Sequence, residues 1–120
     1  MKTTKLILFL TVLFAATFLH AQNVKANKWD VQRSVKITSK ATKDLSLSKA
    51  DSAKLNVFIL DRLSFEAVKL KEASTPDEKN EVYKISIADF KDKLTKTFPA
   101  DLVLKIRDWW GQNNKNFNSL

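Results

Sequence analysis

Leu47-Ser48-Lys49-Ala50-Asp51, followed by Leu55, Ile59 and Leu63, is the stretch that decides the fold. The Ser48 hydroxyl can accept from a free N–H of a first helical turn, and Asp51, three residues on, can reach back: a capping box. The apolar residues after it recur every four positions, the period of one helix face. Fifty residues later Thr97-Phe98-Pro99-Ala100-Asp101 precedes Leu102, Ile106 and Trp109 in the same way. Pro99 suits the first turn of a helix, and Asp101 suits its positive end. Two such starts predict a pair of related helical hairpins.

The rest of the chain reads in the same period. It has one glycine and two prolines, too little punctuation for the tight turns of a strand-rich domain. The reading is all-α with four helices. The first, over about 28–43, is weakly amphipathic, with Val31, Val35, Thr38 and Thr42 on its apolar face. The second, over about 49–72, carries Leu55, Val57, Phe58, Ile59, Leu60, Leu63, Phe65, Val68 and Leu70 almost around its circumference. It is either a central core helix or a helix whose spare face forms a dimer seam or binding surface. Thr75-Pro76-Asp77-Glu78 starts the third: Thr75 caps, Pro76 takes the first helical position and Glu78 completes a capping box. That helix runs to about residue 96, with Tyr83, Ile87, Phe90 and Leu94 as its stripe. The fourth covers 99–110, Gly111 is its stop, and residues 112–120 form a frayed, Asn-rich tail.

Residues 1–21 read as a secretory signal. Lys2 and Lys5 precede an apolar run over 6–19 that is short for a bilayer span, and Ala21 suits a cleavage position. The expected location is therefore periplasmic or secreted. No cysteine follows to carry a lipid, so this is not a lipoprotein. Cleavage leaves one helical domain over 22–111 plus the tail, with 19 basic against 13 acidic residues, a net of +6. The lysines are scattered along the chain, as on the wet faces of amphipathic helices. Outside the cytoplasm no nucleic-acid partner is expected; anionic lipid and acidic proteins remain suitable.

The chemistry of catalysis is missing. The single histidine, His20, lies in the signal segment and there is no cysteine, which removes the usual metal ligands and the Ser-His and Cys-His nucleophile pairs. One glycine cannot build a phosphate loop. Most carboxylates sit where capping or i,i+4 pairing explains them, as Asp89 with Lys93. The chain is expected to be no enzyme and to need no cofactor or metal. Two features suit binding instead. One is the crowded second helix, interrupted by Arg62 and Lys69. The other is Trp109-Trp110 beside Lys105 and Arg107. Adjacent tryptophans point about 100° apart on a helix, so either one packs while the other faces solvent, a partner or a membrane interface, or both pack at the helix end.

The stretch 33–51, with Leu47-Ser48-Lys49-Ala50-Asp51 at its end, resembles the start of the small secreted Spy/CpxP-like proteins. Their hallmark is a Leu-Thr-x-x-Gln helix start that occurs twice. Thr97-Phe98-Pro99-Ala100-Asp101 stands at the second copy, and Thr75-Pro76-Asp77-Glu78 at the join of the two hairpins. Asp replaces Gln in both copies, and Phe98 stands in place of the capping residue of the second. The resemblance covers about 30–110. It implies a four-helix protomer of two hairpins and a curved antiparallel homodimer. It also implies an ATP-independent chaperone or envelope-stress adaptor that binds unfolded or partner proteins. The residues expected to carry that binding are Val57, Phe58, Leu60, Arg62, Phe65, Lys69 and Trp110. The alternative is an envelope protein that docks on a specific partner or an anionic membrane surface.

Overall fold

Residues 26–120 are described by a computed structural model. The secretory reading of residues 1–21 lies outside the described residues. The fold is all-α: α1 (Lys28–Leu45), α2 (Lys49–Glu72), α3 (Pro76–Thr97) and α4 (Ala100–Asn113), closed by a 3-10 helix over Asn114–Ser119. Helices α1 and α2 form one hairpin and α2 and α3 a second, so α2 is shared and lies between its neighbours. Helix α4 packs back on α1 and α3. The core is where all four meet: Ile37 and Ala41 from α1, Leu55 and Ile59 from α2, Phe90 and Leu94 from α3, and Val103, Ile106 and Trp109 from α4. The near-uniform half-burial of α2 from Asp61 to Leu70 follows from having helices on both sides.

Three helix starts are capped by the side chain before them, but Asp51 makes no bond back to the Ser48 N–H, so the box at α2 is only half made. Asn27 accepts from the Asp30 N–H at 2.7 Å, Ser48 from the Asp51 N–H at 3.1 Å and Thr75 from the Glu78 N–H at 3.1 Å. Glu78 reaches back to the Ser74 N–H at 2.9 Å, one residue beyond the Thr75 N–H that a capping box uses. Pro76 takes the first helical turn. Pro99 is the N-cap of α4 with no side-chain bond, and Asp101 sits in the first turn. Phe98 instead ends α3, donates its N–H to the Leu94 carbonyl at 2.9 Å and buries its ring edge-on to Phe58. Ser46 ends α1 in the left-handed region, at φ 54°, which turns the Leu47 N–H back to the Thr42 carbonyl at 3.1 Å.

Four expectations need correction. On α1 the buried residues are Asp30, Ser34, Ile37, Thr38 and Ala41, while Val31 and Val35 are exposed. The seam with α2 is hydroxyl- and amide-lined: Thr38 bonds Asn56 at 3.1 Å and Thr42 bonds Ser52 at 2.6 Å. These pairs and the small Ala41 set the rotation of α1, and the valines turn outward. On α3, Phe90 and Leu94 are buried as expected, but Tyr83 and Ile87 are exposed and Ser86 is buried in their place. Ser86 bonds Glu66 across the α2–α3 seam at 3.0 Å and Lys93 bonds Asp61 at 3.1 Å, and this polar edge fixes which side of α3 faces α2. Gly111 does not stop α4, which runs two residues further with no left-handed glycine. The tail is not frayed: it forms the 3-10 helix and buries Phe117 against the tryptophans.

Gly111 is thus an unneeded freedom inside a helix. A Cβ there would meet nothing within 4 Å. Gly111→Ala is expected to stabilise the fold by about 0.5–1 kcal/mol, read as a rise in melting temperature of about 3–6 °C.

Candidate functional site

Two places concentrate chemistry. The first is an aromatic–cation stack where α2, α3 and α4 converge. Arg62 projects from α2 with its guanidinium carbon 4.5 Å from the Trp110 ring centre and 5.1 Å from that of Phe90. Its Nε donates to Glu66 Oε1 at 3.5 Å, and the same oxygen accepts from Ser86. Both partners are largely buried, with side chains 12% and 17% exposed. Burial pulls the Arg62 pKa below the ordinary value, and the charge and hydrogen bond of Glu66 oppose that. The Phe90 and Trp110 rings also meet each other, with centres 5.0 Å apart, so the guanidinium lies against a ring pair, where its flat face makes contacts an ammonium cannot.

Trp109 is the other half of the tryptophan pair and points elsewhere. It is buried, and its Nε1–H donates to Asp44 Oδ2 at 2.8 Å, which ties α4 to the end of α1. That hydrogen bond, and then the one from Lys40, hold the Asp44 carboxyl below the ordinary 3.8. A depressed carboxyl contributes stability that is complete above the ordinary value and is lost as pH falls through the lowered folded-state value. Trp109→Phe is therefore expected to shrink the loss of stability on acidification below pH 3.8, measured by urea titration at a series of acidic pH values.

Lys93 is the third interhelical charge. Burial disfavours its ammonium, but hydrogen bonds and charges from Asp89 at 2.9 Å and Asp61 at 3.1 Å outweigh burial and raise its pKa. The i,i+4 pair with Asp89 was legible in the sequence; the bridge to α2 was not.

The second place is an open groove of about 360 Å³ between α1 and α2, lined by Val35, Thr38, Ser39, Thr42, Leu47, Lys49, Ser52, Ala53 and Asn56. Thr38, Thr42, Ser52 and Asn56 already bond across the helix seam. Val35 on the groove and Val31 one turn before it are exposed, and so is Val57 one turn after Ala53.

The structure distributes the seven expected binding residues unevenly. Val57 is exposed, at 40%. Phe58 packs on Phe98 beside the core, and Leu60 and Phe65 are half-buried. Arg62 and Trp110 are brought together, but as the internal stack. Lys69 stays near the surface and pairs with Glu72 at 3.4 Å. Helical periodicity places Val31 and Val35 on the apolar face of α1, whereas both are exposed, Val35 in the groove lining and Val31 one turn before it. Phe117 carried no helical signal of its own.

Among the described residues no group of three or more His, Cys, Asp or Glu could hold a metal ion, and no helix is long and apolar enough to cross a membrane. Compared with family models, curated proteins and solved structures, the chain matches none of them.

Proposed function

We propose that this chain is a non-enzymatic binding protein of the Spy/CpxP-like kind, acting outside the cytoplasm after loss of residues 1–21. It holds unfolded or partner polypeptides reversibly, without cofactor or nucleotide. The observation that carries the reading is that Val35 in the lining of the α1–α2 groove is exposed, as are Val31 and Val57 one helical turn from lining residues, with Lys49 also in the lining. Apolar groups left in water beside a cation suit a segment that exposes apolar and acidic side chains together. The capped helix starts at Ser48 and Thr75 support the same kinship.

The test is aggregation of a reduced or acid-unfolded client, followed by light scattering at equimolar chaperone. The mature chain is expected to slow it. Val35→Ser with Val57→Ser is expected to remove most of that protection while each change alters stability by only about 0.5 kcal/mol, since both side chains are exposed. No protection by the unaltered chain overturns the reading. Flotation with anionic liposomes at low and high salt separates the alternative, because binding to lipid headgroups fades as salt screens the charges.

A further inference from the structure

The segment after α4 is attached like a ligand. Only one of its side chains, Phe117, is buried, at 7% exposure, while its neighbours Asn114, Lys115, Asn116, Asn118, Ser119 and Leu120 are exposed. The Phe117 ring lies edge-on to Trp110 with centres 4.8 Å apart, and 5.7 Å from Trp109. Two cations of α1 meet oxygens that follow it: Arg33 Nη2 donates to Asn118 Oδ1 at 3.2 Å and Lys36 Nζ to the Leu120 main-chain oxygen at 3.4 Å. The 3-10 helix has no side-chain cap.

The walls of this pocket are held by bonds that do not involve the segment. Trp109 is fixed by Asp44, and Trp110 by the stack on Arg62. A pre-formed aromatic cleft with two cations beside it, filled by one aromatic anchor and two oxygen acceptors, is a peptide site with an occupant already in place. A short 3-10 segment with a single buried anchor also belongs to the parts of a fold that open locally at low free-energy cost.

We propose that Trp109, Trp110, Arg33 and Lys36 form a binding site for a polypeptide segment that carries an aromatic residue followed within three residues by amide or main-chain oxygens. Residues 114–120 are its resident intramolecular occupant and gate the site. The site shares no residue with the α1–α2 groove, so it stands or falls apart from the proposed client binding. Tethering gives the resident segment an effective concentration of order millimolar, so an outside segment enters only weakly while Phe117 is in place.

The experiment uses the full mature chain carrying Phe117→Ala and an end-capped heptapeptide of sequence 114–120, with tryptophan fluorescence as readout. The peptide is expected to bind the variant at least about tenfold more tightly than the unaltered chain. Replacing its phenylalanine by alanine is expected to abolish binding, and Arg33→Ala with Lys36→Ala in the variant chain to weaken it. Equal binding to both chains, or none to a Phe117→Ala chain with unchanged helical circular dichroism, overturns the proposal. If that variant loses its helicity, hydrogen exchange on the unaltered chain decides. Amides of 115–120 exchanging about a hundredfold faster than those around Ile59 support a displaceable segment, and equal protection overturns it.

Discussion

Ile59→Ala is expected to cost about 2–5 kcal/mol, a large part of the stability of a domain this size. Ile59 is fully buried near the middle of α2, the helix that packs against both α1 and α3. Removing its outer carbons leaves a cavity that helices held by interhelical hydrogen bonds on both sides cannot close. The seam bonds of Thr38 and Thr42 constrain α1, and those of Ser86 and Lys93 constrain α3. The loss reads out as a drop of about 1–2 M in the urea midpoint of the 222 nm signal. Val57→Ala, on the same helix but exposed, is expected to stay within about 0.5 kcal/mol. The contrast distinguishes a central helix from one that spends its apolar surface on a second copy. In the latter case both changes would act through association and depend on protein concentration.

The second large effect is expected at Arg62. Truncation to alanine strips the guanidinium from the Phe90–Trp110 ring pair and leaves Glu66 with Ser86 alone in a largely dry site. An uncompensated buried carboxylate sets the cost at about 3–5 kcal/mol. Arg62→Met fills the same space without charge, and paired with Glu66→Gln it is expected to restore most of the loss, because a buried ion pair has little net worth against a well-packed apolar replacement. Arg62→Lys retains the charge but not the plane, so it is expected to fall between the two. Urea titration of the single and double variants gives the coupling between Arg62 and Glu66, and the near-ultraviolet dichroism of Trp110 shows whether the ring has lost its stack.

The fate of Arg62 shows where sequence reading stops. An arginine inside an apolar helix reads as a surface charge beside a binding strip. It is internal because Trp110 and Phe90, 48 and 28 residues away in the chain, come together as a ring pair against it. The same holds for the tryptophan pair. Helical geometry states that Trp109 and Trp110 diverge, but not that one meets Asp44 on α1 and the other Arg62 on α2. Tyr83 and Ile87 match an apolar stripe as well as Ser86 does not, yet Ser86 is inside because Glu66 needs a donor there.

What the sequence determined by itself is local. Ser48, Thr75 and Pro76 start their helices through bonds to residues three positions on or through a fixed φ, so α2 and α3 begin where those residues stand. Scarce glycine and proline, with apolar residues three and four apart, determined that the chain is all-α. The tertiary structure alone decided how each helix is rotated about its axis, and with it which apolar residues are core and which are surface. It also decided that the chain past Gly111 folds back, since Phe117 has nothing to bury against until α4 has set Trp109 and Trp110 beside α1 and α2. Capping energies are short-range and written in neighbouring residues. Helix rotation is chosen by polar pairs and ring contacts between distant residues, whose partners exist only once the helices have met.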